Sequence, residues 1–228
     1  MNFPGLSGRL ADIRELIRVH QARAGLSHPV RIVAVTKSQG PEAVRAAAAA
    51  GLDDVGENRV QEALAKQEQL PDLAVRWHLI GSLQRNKVPK VVGRFALIHS
   101  LDRLELATEL ARRIGAGSRQ AVLVEVNCSG EPQKGGVEPE QLEALLEQVA
   151  GLPGLELRGL MTLAAQSGDE GVQRRAFGLL RSLRDRMRDA GYALPELSMG
   201  MSGDFPVAVE EGATLVRLGT LLFGERRQ

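Results

Sequence analysis

The chain has 228 residues, with 29 Lys and Arg against 28 Asp and Glu and a formal net charge of +1. Hydrophobic residues at 43% and charged residues at 25% describe an ordinary globular chain long enough to bury a core, and the missing positive field excludes a protein held to nucleic acid mainly by phosphate attraction. Aromatics at 3% and one cysteine, Cys128, exclude base-stacking platforms, an internal disulfide and a Cys-rich metal knuckle, and fit a reducing compartment.

The opening MNFPGLSGRLADIREL lacks the basic stretch and apolar run of a signal peptide, and no segment approaches the ~20 apolar residues of a membrane span; a cytoplasmic protein is expected. An amphipathic helix over 6–23 comes first. A strand over 31–36 (RIVAVT) follows, then an Ala-rich helix over 41–50 with proline in its first turn and Gly51 beyond its end. Next come a strand at 53–57 (DDVGE), a helix at 59–69 that stops before Pro71, a strand at 75–80 and a helix at 83–92 ending at Gly93. The strand at 95–100 leads to a helix over 102–114, with Asp102 as its capping acid and Gly115 as its stop. A strand at 121–127 and a helix at 138–150 follow. After the strand at 157–163, a long helix at 172–190 sets Val172, Phe177, Leu180, Leu183 and Met187 at helical spacing. The chain then reads as strand 196–199, short helix 205–211 and strand 214–218.

Several of these strands are continuous apolar runs, the mark of parallel strands covered on both faces. Strict alternation implies a parallel sheet. Eight strands in this length predict a single α/β domain over 1–228, a (β/α)8 TIM barrel preceded by an N-terminal helix, in preference to an open doubly wound sheet.

Chemistry in such a barrel sits at the C-terminal ends of the strands. Lys37 follows VAVT at the first of these ends; a buried amine there would have a lowered pKa and be a Schiff-base nucleophile, whereas a lysine that merely snorkels out is the bland alternative. SMGMSGD (198–204) and RLGT (217–220) follow the last two strands and combine small residues with hydroxyls. Glycine-turn amides and a helix start at Ser202, with Gly219 and Thr220, would cradle a phosphate; ordinary caps and turns are the alternative. Arg217, inside the apolar TLVRL, is either a structural ion-pair member or faces a ligand. GENRVQE (56–62) supplies either a network around Lys37 or a charged helix start. His78 reads as a satisfied core histidine, the histidines show no metal spacing, and Cys128 reads as an inert thiol. The arginines at 174, 175, 181, 184, 186 and 188 read as a solvated helix face.

A reactive lysine, a phosphate cradle and an arginine in one mouth suit pyridoxal 5′-phosphate, PLP. With VAVTKSQ (33–39), GENRVQE (56–62), WHLIGSLQRNK (77–87), IHSLD (98–102), VNCSGEPQKGG (126–136), GLMTL (159–163), LSMGMSGDF (197–205) and VRLGTLLFGER (216–226), the chain resembles the pyridoxal phosphate homeostasis protein family (YggS/PROSC-like) over nearly its whole length. The resemblance implies a barrel of the alanine racemase N-terminal-domain type without that enzyme's additional β-domain. It implies Lys37 as the lysine of the internal aldimine, Ser202, Gly219 and Thr220 as phosphate contacts, Arg217 facing the pyridine nitrogen and Asn58 as a polar neighbour of the cofactor.

A guanidinium beside the ring nitrogen disfavours its protonation and makes a poorer electron sink. Racemisation needs a base on each face of the α-carbon. Alanine racemases take one of them, a tyrosine, from the partner subunit's extra domain, which is not expected within 228 residues, and Tyr192 is expected at the barrel's far end. The reading is therefore a monomeric PLP carrier whose partners are the cofactor, PLP-dependent apoenzymes and free amino acids. A PLP-dependent racemase or related enzyme, and a class I aldolase-like barrel, are the alternatives.

Overall fold

Eight strands, all parallel, close in chain order into a barrel in the computed structural model, which describes residues 3–131 and 133–224. They are β1 (Arg31–Val35), β2 (Asp54–Glu57), β3 (Arg76–Leu79), β4 (Leu97–Leu101), β5 (Gln120–Glu125), β6 (Leu155–Met161), β7 (Glu196–Ser198) and β8 (Leu215–Leu218). Closure is made by β8 against β1, in register from Arg31 opposite Leu215 to Ala34 opposite Leu218. The helices are α1 (Leu6–Arg23), α2 (Pro41–Ala49), α3 (Val60–Gln69), α4 (Leu104–Arg113), α5 (Leu142–Ala150), α6 (Glu170–Asp189), α7 (Phe205–Glu210) and α8 (Thr220–Phe223).

Two apolar cores follow from the period of two along each strand. Val33, Leu97, Leu123, Met161 and Leu215 meet inside the barrel; a larger cluster fills the space between sheet and helices. The inward face of Val33, Leu123 and Leu215 passes, two residues on, to Val35, Glu125 and Arg217.

α8 is only one turn long, too short to cover β8. α1 covers it instead. It buries Leu6, Leu10, Ile13 and Ile17 and packs against α7 and α8. Arg9 Nε donates to the Leu222 carbonyl at 2.9 Å, His20 Nδ1 lies 2.6 Å from Glu210 Oε1, and the rings of Phe3 and Phe223 meet edge to face.

Several local expectations change. The segment 83–92 holds a 3₁₀ helix over Arg85–Lys90, because Pro89 supplies no N–H for an α-helical ladder. Asp102 does not cap α4: β4 runs on to Leu101, the helix starts at Leu104, and Asp102 pairs with Arg103. The segment 138–150 opens with a 3₁₀ turn over Pro139–Gln141 before α5. The arginines of α6 are not all a solvated face, since Arg174 reaches Glu210 at 2.6 Å and Glu211 at 3.1 Å, and Arg181 reaches Glu211 at 3.0 Å, clamping α6 to α7. Pro132 and residues 225–226 of the quoted motifs lie outside the described residues.

Candidate functional site

β1 ends in a turn over residues 36–39. The buried Thr36 carbonyl accepts the Gln39 amide at 3.0 Å and Lys66 Nζ at 2.7 Å. Ser38 takes φ +62°, a region usually left to glycine. Lys37 lies in this turn and is exposed; the buried amine expected from the apolar strand is not found, because the buried stretch ends one residue earlier at Thr36.

Behind the turn, Glu57 is fully buried. It accepts from the Thr36 hydroxyl and from Lys66 Nζ, each at 2.5 Å, and its Oε2 has no partner among the described residues. Burial raises its pKa against the pull of Lys66 and Thr36. The GENRVQE segment thus serves both readings: Glu57 supports the Lys37 turn, while Arg59 pairs with Glu62, at 3.2 Å, on the helix surface. Asn58 is exposed at the end of β2 and lies against Gly81, where any side chain would strike the Asn58 carbonyl. The Gly81 carbonyl in turn accepts the Ser100 hydroxyl at 2.7 Å.

The loops after β7 and β8 are brought together as expected. The Arg217 amide donates to the Gly200 carbonyl at 2.9 Å, and the Leu221 amide donates to Ser202 Oγ at 3.4 Å. Gly200, at φ +90°, leaves no room for a Cβ, which would stand 2.6 Å from that of Ala208. Gly219 lies against β1, its would-be Cβ 3.2 Å from the Val35 carbonyl oxygen. Ser202 does not begin a helix; Asp204 is the N-cap of α7, its Oδ1 accepting from the Met201 amide. The amides of Ser202, Gly203, Gly219 and Thr220 donate to no acceptor among the described residues. Four amides and two hydroxyls on neighbouring loops offer donors of the kind that bind an anion.

Arg217 stands beneath, 4% exposed, donating to Ser198 Oγ at 2.6 Å and to the Thr162 carbonyl at 2.9 Å. Burial lowers its pKa to about 10, partly offset by Asp204 and Glu125, so it stays charged at neutral pH. Its side-chain partners among the described residues are a hydroxyl and a carbonyl, not a carboxylate.

His78 is a satisfied core histidine, as expected. Its Nε2 lies 2.8 Å from Asp54 Oδ1 and its Nδ1 lies 2.9 Å from His99 Nε2. His99 Nδ1 is 2.9 Å from Ser198 Oγ. Cys128 is buried and its thiol is pushed up to about 12, the inert state expected. No group of three metal-ligating side chains occurs among the described residues.

Sequence reasoning missed His99, Lys66 and Glu125. Glu125 ends the inward face of β5 and is 5% exposed, and its carboxyl has no hydrogen-bond partner among the described residues; burial and Asp102 raise its pKa to about 7 while Arg217 pulls it down. An acid in the apolar run VLVEV was the available signal.

A family model described as alanine racemase, N-terminal domain, matches residues 9–227. The chain is 48% identical to a pyridoxal phosphate homeostasis protein of Aquifex aeolicus over 222 residues, covering 96% of this chain and 97% of the relative. It is 47% identical to the protein of the same name from Pseudomonas aeruginosa over 223 residues, covering 97% and 96%. Among solved structures, PipY of Synechococcus elongatus with PLP bound superposes with a TM-score of 0.85 at 39% identity, covering 96% of this chain and all of that one.

Proposed function

The chain belongs to the pyridoxal phosphate homeostasis protein family, within the alanine racemase N-terminal-domain fold, and from that footing we propose that it binds PLP at the barrel mouth, holds it on Lys37 and releases it to other users. The observation that carries this reading is the joined pair of loops after β7 and β8. Their unpaired amides lie one strand from the Lys37 turn, because Gly219 packs on the Val35 carbonyl. Phosphate would take the cradle of Ser202, Gly219 and Thr220, Asn58 would flank the ring, and Arg217 would face its nitrogen.

Bound PLP supplies an electrophilic aldehyde. Lys37 is the residue whose amine would hold that carbon as a C=N linkage, with loss of the aldehyde oxygen as water, and a free amine or water would reverse it. Arg217 is fixed by two hydrogen bonds and stays charged, so it orients the ring without lending it a proton. This favours keeping the aldehyde over transforming an amino acid. We place this activity in a monomer of the cytoplasm, with apoenzymes and free amino acids as recipients; no helix among the described residues is long and apolar enough to cross a membrane.

The test is a yellow protein that loses its colour on Lys37→Ala. Borohydride reduction and mass spectrometry of the loaded chain should put the label on Lys37. A label on any other side chain overturns the assignment.

A further inference from the structure

A single file of hydrogen-bonded side chains crosses the barrel interior from floor to mouth: Asp54, His78, His99, Ser198 and Arg217. We propose that His78 and His99 are positioning residues for Arg217, acting through Ser198, and that uptake of one proton by the imidazole pair is coupled to how firmly the mouth holds PLP. The inference rests on the reading of the mouth given above.

Donor and acceptor chemistry fixes the direction of every link. Arg217 has only donors, so Ser198 Oγ accepts from it. At the other end the Asp54 carboxylate is ionised. Burial works to raise its pKa, but hydrogen bonds from His78 and Arg76 outweigh that and hold it well below the usual range. It therefore accepts from His78 Nε2–H. Burial, with the neighbouring His78 and Arg217, keeps His99 neutral. With both rings neutral, His78 Nδ1 accepts from His99 Nε2–H, and His99 Nδ1 accepts the Ser198 hydrogen. All four links then point from mouth to floor.

One added proton gives a second arrangement. His78 then carries both hydrogens, the His99 hydrogen sits on Nδ1, and Ser198 accepts from His99 and Arg217 together. The added charge, on His78, is then relayed to Arg217 through the His99 ring and the Ser198 hydroxyl.

The pair is reachable by solvent protons, because His78 lines a floor cleft of about 210 Å³ with Arg31, Arg76 and Glu196. The charges facing it there are largely matched. Arg76 is bidentate on Asp54, Arg31 pairs with Glu196 at 2.6 Å, and Arg158 pairs with Glu156 at 3.0 Å on the same cleft. Arg217 faces the pair from the mouth side, with Glu125 and Asp204 beyond it.

Nitrogen-15 spectra of the ligand-free full chain test the file directly. At neutral pH both Nδ1 atoms should be unprotonated, and on acidification the His99 proton should move to Nδ1 as the Arg217 guanidinium signals shift. PLP titrations between about pH 5 and pH 9 test the coupling: wild-type affinity should fall on the acid side. Ser198→Ala and His99→Gln should bind roughly three- to tenfold more weakly at neutral pH, the worth of one hydrogen bond, and lose the pH break. Ser198→Thr, which keeps the hydroxyl, should restore both. A protonated His99 Nδ1 at neutral pH, Arg217 signals indifferent to acid, or a wild-type pH profile in Ser198→Ala would each defeat the proposal. Failure of the wild type to take up PLP at any pH counts instead against the cofactor reading, since the imidazole and guanidinium signals are measured without ligand.

Discussion

Glu125 meets the mouth with a buried carboxyl that no hydrogen bond among the described residues satisfies, and burial, with Asp102 nearby, raises its pKa to about 7. The unfolded chain would titrate this group near pH 4.3. Between the two values the native state binds the extra proton, so the stability it contributes is present at low pH and is lost as pH rises through 7. The difference corresponds to about 4 kcal/mol at most. Thermal melts from pH 5 to pH 8 should therefore show wild type losing ground to Glu125→Gln, which cannot ionise; parallel curves would show that the carboxyl is solvated. Ser202 makes a different contribution, since its Oγ is both a cradle hydroxyl and the acceptor of the Leu221 amide. Ser202→Ala is expected to weaken PLP roughly three- to tenfold while leaving pyridoxal, which lacks the phosphate, unaffected. Equal losses for both ligands would move the phosphate elsewhere.

Among the elements, α1 replaces the missing outer helix after β8. Leu10 is 2% exposed on its inner face, so Leu10→Ala should cost about 3 kcal/mol of unfolding free energy in a denaturant titration. A loss below about 1 kcal/mol would mean that the helix is an appendage. α1 also touches the site, because Arg9 holds the Leu222 carbonyl and with it the turn that presents Thr220. The strands and most helices were legible because apolar runs and glycine stops are local signals. The 83–92 segment was not, since its apolar spacing suggested an α-helix while Pro89 forbids the ladder in the structure. The arginines of α6 looked solvated because their partners, Glu210 and Glu211, come from a different helix.

For the whole molecule, the same distinction separates the legible part of the site from the rest. Lys37, Ser202, Gly219 and Thr220 follow strand ends and Arg217 is the next-to-last residue of β8, and barrel topology alone gathers strand ends at one mouth. The interior file joins partners 24, 21, 99 and 19 residues apart; only strand register and inward parity bring them into contact, and neither is printed in a local motif. Exposure of Lys37 was likewise hidden, because the turn begins where the apolar run stops. The assembled barrel bears on whether the mouth turns over amino acids. Tyr192 lies in the connection from α6 to β7, at the floor end, away from the mouth. Arg217 is charged at neutral pH, and in the placement proposed for it beside the ring nitrogen it would leave the ring unprotonated and a carbanion poorly delocalised. In deuterated water, α-proton exchange of a panel of amino acids should therefore stay near the rate given by free PLP, and Tyr192→Phe should not change it. Exchange well above that rate, lost on Lys37→Ala, would replace storage with catalysis, and Glu125→Gln would then show whether the mouth carboxyl carries the proton.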